Sequence, residues 1–161
     1  MKNQDNPFPL PRTTSPVLGQ VREYWAGLKR GGNDIPFADD LRLTALPDLA
    51  KSLLVVDVFA SPQRFRLSSV GDNWLADSHR DLAGRFLDEI EPGAPPLAFL
   101  LSQCAATVES GKPTWHAHRA RERASATQPA FERLLLPLWG DGRISMIFGA
   151  IDLHRTASGI R

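Results

Sequence analysis

The sequence predicts an α+β domain, a five-stranded antiparallel sheet with helices on one face, preceded by an N-terminal amphipathic helix. Three observations carry the α+β prediction. Two β-type runs, Leu53–Phe59 and Arg64–Gly71, flank the short link Ala60-Ser61-Pro62-Gln63 and should pair antiparallel. Helical segments then occupy the chain as far as Ser110. Three more β-type runs follow, the last two joined through Asp141-Gly142, a strong hairpin signal.

Residues 1–16 hold Pro7, Pro9, Pro11 and Pro16, a density that prevents helix and predicts a flexible extended arm. A helix should run from Val17 to Arg30. Val17, Leu18, Val21, Trp25 and Leu28 recur at helical spacing with Tyr24 beside them, Lys29 and Arg30 suit a C-terminal dipole, and Gly31-Gly32 stop it. Such a helix must cover either its own sheet or a partner's, and the spacing does not choose. Residues 17–50 form this helix and its connector, 51–153 the core, and 154–161 a tail.

In the core, Leu53–Phe59 is apolar almost throughout, as for a strand buried on both faces. Arg64–Leu67 alternates, with Phe65 and Leu67 to one side and Arg64 and Arg66 to the other. Gly71 ends the second strand. A short helix over Asp72–Ser78 has Asp72 as candidate cap. After a compact segment at Asp81–Ile90, a long helix is expected over Ala94–Ser110. Its stripe is Leu97, Leu100, Leu101, Cys104, Ala105 and Val108, and Gly111 stops it. Strands follow at Pro113–Glu122, Phe131–Trp139 and Ile144–Leu153.

The 161 residues suit one domain with extensions, and 42% hydrophobic residues suffice for its core. Nineteen basic residues against 18 acidic ones give no field that would favour nucleic acid or a membrane surface. The lone Cys104 excludes an internal disulfide and fits a reducing compartment. The polar start and the lack of a roughly 20-residue apolar run argue for a soluble cytoplasmic protein.

The order of elements resembles a PAS domain, with two strands, short helices, a longer helix and three strands. More closely, it resembles the short bacterial PAS proteins that carry a leading helix. The resembling stretches are Tyr24-Trp25, Leu28, Gly31-Gly32, Ile35-Pro36, Leu46-Pro47 and Leu54–Asp57. They continue with Arg64–Leu67, Val70-Gly71, Asp81–Arg85, Gly111–Pro113, Arg133–Leu138 and Gly149-Ala150. The resemblance spans Val17–Leu153. It implies a sensory or protein-interaction module, dimeric through the leading helix, and names no ligand. Val17, Leu18, Val21, Tyr24, Trp25 and Leu28 would form the dimer interface. With no kinase, cyclase or DNA-binding segment after Leu153, a signal is expected to act in trans on a protein partner.

Chemistry-bearing residues are sparse. Light-sensing PAS relatives place a cysteine before Arg-Phe-Leu, but Gly84 precedes Arg85-Phe86-Leu87 here, so a covalent flavin adduct is not expected. The long helix holds no histidine for haem, and His79 lies in an earlier link. His116 and His118 share a strand face but lack a third ligand other than Glu122, and are expected on the solvent side with Trp115 and Ala117 inward. Arg119, Arg121 and Arg123 read as a solvated strand end. No nucleophile elbow, HExxH, P-loop or GxGxxG occurs, so no catalytic or metal residue is nominated and no enzyme is expected.

Arg133 shares its alternation with Phe131, Leu135 and Pro137, toward an apolar interior. A guanidinium there needs a carboxylate, from a ligand or from a structural pair with Asp57 or Asp152, unless a bulge turns it outward. The structural pair is the default. If a pocket exists, Trp74, Phe86, Phe99, Gln103, Trp115, Arg133, Met146 and Phe148 should line it, ordinary core being the simpler role for its apolar members. The expected ligand is a small apolar or carboxylated molecule. A ligand-free dimerisation or adaptor module with a filled core is the alternative, and a small enzyme the remote one.

Overall fold

The computed structural model describes residues 7–75, 81–90, 95–118 and 130–154. Five antiparallel strands form one sheet in the order β2-β1-β5-β4-β3. The strands are β1 (Leu53–Phe59), β2 (Arg64–Val70), β3 (Thr114–His118), β4 (Phe131–Gly140) and β5 (Arg143–Leu153). Two α-helices, α1 (Pro16–Gly27) and α2 (Leu100–Ser110), lie on opposite faces, so helices cover both sides of the sheet.

Helix α1 starts where its sequence favours a start. Ser15 has extended backbone and its Oγ accepts the Leu18 N–H at 3.4 Å, while Pro16 occupies the first turn, where no amide partner is needed. The helix ends at Gly27, before the expected Arg30. Lys29 and Arg30 therefore serve elsewhere. Lys29 Nζ sits 4.8 Å from the Trp25 ring centroid, and Arg30 pairs with Asp40 at 2.6 Å. Leu18, Val21 and Trp25 are buried against Leu53, Val55, Leu134, Leu136, Leu138 and Phe148 of the chain's own sheet. Trp25 Nε1 donates to the Pro137 carbonyl at 2.8 Å, which fixes the helix in register. Of the six side chains nominated for a dimer interface, these three are spent within the chain. Val17, Tyr24 and Leu28 are half-buried.

The other face is covered by the chain between β2 and β3. Leu54, Val56, Phe65, Leu67, Leu135, Ile147 and Ile151 meet Trp74, Leu82, Leu97, Leu100 and Cys104 there. Three expectations change in this region. Regular α-helix begins at Leu100 instead of Ala94, after a single 3-10 turn at Pro95–Leu97 and a left-handed Phe99 at φ 64°. The short helix after β2 is a 3-10 turn, Asp72–Trp74, capped by Gly71 without any side-chain bond, so Asp72 is no cap. The buried stripe of α2 is Leu100, Gln103, Cys104 and Thr107, and Leu101 is 46% exposed. Gly111 ends α2 in the left-handed conformation at φ 68°, which glycine adopts freely.

Both lateral edges of the sheet carry extra chain. On β2, Leu67 N–H donates to Arg85 O at 2.8 Å and Gly84 N–H to Leu67 O. On β3, Trp115 N–H donates to Phe8 O at 3.1 Å, and Phe8 itself is buried. The described part of the proline-rich arm thus lies against the core.

Gly71 is where the chain leaves the sheet. Its φ of −72° is open to any residue, so conformation does not require glycine. Space does. A Cβ at this position would collide with the Lys51 carbonyl, which is backbone and cannot swing away. Gly71→Ala should lower the urea midpoint by an amount equivalent to about 1–3 kcal/mol, the cost of forcing an atom into a packed site. An unchanged midpoint would show that the backbone there yields.

Candidate functional site

The sheet face beneath α2 is apolar except at its β3–β4 side, where a polar cluster is enclosed. Cross-strand register builds it. Thr114 pairs with Leu135, His116 with Arg133 and His118 with Phe131, so these six side chains share one face. From the opposite side, α2 brings Gln103 and Thr107, four residues apart and thus on one helix face.

Arg133 is the centre of the cluster and is 0% exposed. Its Nε donates to Gln103 Oε1 at 2.7 Å and its Nη1 to the Pro96 carbonyl at 3.0 Å. Gln103 Nε2 donates in turn to Thr114 Oγ1 at 3.1 Å. The Thr107 and Thr114 hydroxyls are 2.7 Å apart, and Thr107 Oγ1 bonds the Gln103 carbonyl at 2.9 Å. One chain of hydrogen bonds therefore runs from β4 through α2 to β3.

Two atoms stand outside that chain. Arg133 Nη2 and His116 Nε2 are buried and have no hydrogen-bond partner among the described residues. No carboxylate faces Arg133 among the described residues. Asp57, one expected partner, bonds Arg66 at 2.8 Å. Asp152, the other, lies opposite Glu132 in the ladder and so shares the α1 face. Burial without a counter-charge pushes the Arg133 pKa down to about 10. Burial pushes His116 down to about 4, with the charges of Arg133 and His118 adding to it, so His116 is neutral at pH 7. The ring of Phe99, itself 62% exposed, stands 5.7 Å from the His116 ring, and Phe8 and Phe131 also flank it. His118 stacks on Phe131 at 5.3 Å.

Outside the cluster, a cleft of about 470 Å³ is lined by Leu87, Ile90, Leu97, Phe99, Leu100 and Leu101, among others. Leu97 and Leu100 also belong to the core beneath. The strap of residues 95–99, which carries the Pro96 carbonyl, borders the cleft through Leu97 and Phe99, and neither Arg133 nor Gln103 lines it.

The eight nominated pocket residues divide four ways. Gln103 and Arg133 meet in the cluster, and Phe99 stands at its rim. Trp74 is core beneath the excursion and donates Nε1 to the Ser52 carbonyl at 2.9 Å. Phe86 lies beyond the β2 edge, under the Arg64 guanidinium at 3.8 Å. Trp115, Met146 and Phe148 face α1 instead, on the opposite side of the sheet. Their strands are covered on both faces, so apolar character alone does not tell which face a residue takes. His116 was missed for a related reason. The expectation was solvent, but β3 is partly covered on both faces, with Trp115 on the side of the α1 cluster and Thr114 and His116 on the side of α2. The pairing of Thr114 and His116 with α2's own polar pair, Gln103 and Thr107, was the signal available.

Cys104 is 0% exposed, and burial raises its thiol to about 12. Among the described residues no histidine bonds to it. Its native thiol should stay unreactive toward an aromatic disulfide reagent at pH 8 and react stoichiometrically in urea. Prompt reaction of the folded protein would contradict the packing of α2. His79 and the cluster Arg119, Arg121 and Arg123 lie outside the described residues. Among the described residues no three His, Cys, Asp or Glu side chains group as metal ligands. Among them too, no helix is long and apolar enough to cross a membrane.

No family model matches this chain, and no curated protein matches it.

His116 also predicts an acid response. In the folded chain it holds a proton only below about 4, against 6.5 for the ordinary group. Between those values the unfolded chain binds more protons, so stability falls as pH falls. Between pH 6.5 and 4 the wild type should therefore lose more melting temperature than His116→Gln. Parallel thermal profiles for the two proteins would remove His116 from the acid response.

Proposed function

We propose that this chain is a cytoplasmic PAS-type sensory module that binds a small molecule between α2 and the sheet and thereby alters its affinity for a protein partner. The succession of two strands, short helical turns, a longer helix and three strands supports the PAS reading. The observation that carries ligand binding is the enclosed Arg133–Gln103–Thr114–Thr107 chain. A layer whose only task was to seat α2 on the sheet would be served better by apolar side chains, because half-satisfied polar groups cost free energy there. Binding sites, by contrast, place a few polar groups within apolar walls. The same bonds hold α2 and the Pro96 strap to β3 and β4, so a ligand entering here favours a different seating of both. That difference in affinity between two seatings is what a signal requires.

The partner surface is not the apolar stripe of α1, which is seated on its own sheet. The exposed side of that helix, with Gln20, Arg22 and Glu23, remains open to a partner. A second reading, a ligand-free adaptor, rests on the filling of the layer by Trp74, Leu67, Leu135 and Ile147, none of which is exposed.

Native mass spectrometry of the purified protein separates the two. A small molecule retained on the folded chain and lost on acid unfolding is the expected result. An empty chain whose melting temperature no member of a metabolite panel raises would overturn the sensory reading and leave the adaptor.

A further inference from the structure

Arg133 Nη2 and His116 Nε2 present a specific demand. They belong to residues directly opposite each other on β3 and β4, on the same face, where side chains of a cross-strand pair stand about 5 Å apart at Cβ. Both are nitrogens, and both are buried without a partner among the described residues. Arg133 has donors only, and neutral His116 can carry its proton on Nε2. The guanidinium also lacks a counter-charge among the described residues, while its Nε and Nη1 are fixed by Gln103 and Pro96. What is missing is one acceptor group with two oxygens and a negative charge. The surroundings limit the rest of such a molecule. Phe8, Phe99 and Phe131 flank His116, and Leu97, next to the Pro96 carbonyl that meets Arg133, belongs with Leu100 to the apolar core.

From this we infer that the site binds a monocarboxylate with an apolar body, one carboxylate oxygen accepting from Arg133 Nη2 and the other from His116 Nε2. The inference rests on the sensory reading above and narrows it to a ligand class. A carboxylate supplies the charge that a buried guanidinium otherwise lacks, and charge-assisted bonds of this kind are the strong ones. A second charged group on the ligand has no counterpart in the aromatic and aliphatic wall, so dicarboxylates and phosphates are disfavoured. Approach from the Phe99 side requires the strap to move, because both nitrogens are closed off from solvent. Gln103 acts as a positioning residue, since it holds the guanidinium through Nε and leaves Nη2 free to point elsewhere.

The test uses the full chain and four probes, benzoate and hexanoate with their neutral amides benzamide and hexanamide. Binding is read by calorimetry and by nitrogen-15 spectra of the Arg133 guanidinium and the His116 ring. The expected result is saturable binding of a carboxylate at least about tenfold tighter than its amide, with both sets of side-chain resonances shifting. Arg133→Met should abolish the preference for the carboxylate, and His116→Phe should weaken it several-fold while His116→Gln, which keeps a donor, restores part of it. Should Arg133→Met fail to fold, the wild-type resonances and the His116 variants decide alone. Amides binding as tightly as carboxylates, or carboxylates binding without moving the Arg133 and His116 signals, would overturn the inference and leave the sensory reading in place. A crystal structure with an ordered water on both nitrogens, together with no probe binding, would also overturn it. An empty chain in native mass spectrometry whose melting temperature neither the metabolite panel nor any of the four probes raises would sink both readings.

Discussion

The ladder between β4 and β5 is the constraint on which the other parts depend. It runs from Phe131–Leu153 to Gly140–Arg143, closed by the Asp141-Gly142 turn, and most residues along it are buried. A strand pair buried on both sides must be supplied with two covers. One is α1 and the other the chain between β2 and β3. The pairing also fixes parity. Odd-numbered residues of β4 face α2, even-numbered ones face α1, and the outer strands inherit the assignment through register. Arg133 is inside, beneath α2, because of that parity, and so is His116 across from it.

A buried guanidinium must be accommodated by its neighbours. Here accommodation is partial. Gln103 and the Pro96 carbonyl give it two dipoles and no opposite charge. The consequence spreads to nearby groups, since the same charge helps to hold His116 neutral. The α1 side is treated differently. Glu132 is also buried, but it accepts from Ser15 N–H, Trp115 Nε1 and His154 Nε2 at 3.3, 3.2 and 2.7 Å. A carboxylate so surrounded is satisfied by the protein itself. Glu132 and Arg133 are neighbours in sequence and opposite in face, and of the pair only Glu132 has its valences filled.

Much of this was legible in the residues. Leu53–Phe59 read as buried on both faces because it lacks alternation, and Phe65 and Leu67 read as inward because Arg64 and Arg66 alternate with them. Asp141-Gly142 marked its turn, and Gly111 the end of α2. Arg133 was placed inward by the same alternation. What was not legible is what depends on a second element. Phe148 and Met146 look like any inward residues until register tells which inside they face. Leu101 looked like part of a stripe until the left-handed Phe99 started the helix late and rotated Gln103 and Thr107 under it. The fate of α1 was open because an amphipathic stripe fits a neighbour's sheet as well as its own, and local spacing carries no information on which is nearer.

The chain segments along the sheet's margins bear on how the molecule behaves in a crowd. Open strand edges offer unpaired amides and carbonyls to any passing extended chain, and are a common route to aggregates. Here Gly84 and Arg85 occupy backbone groups of β2, and Phe8 occupies the Trp115 amide of β3. Both margins are partly stoppered by short, irregular stretches that cannot themselves propagate a ladder. A partner is thereby steered away from adding a strand and toward the side-chain surfaces of the helices and strap, where recognition is by shape and charge and a misfolded neighbour finds little to template upon.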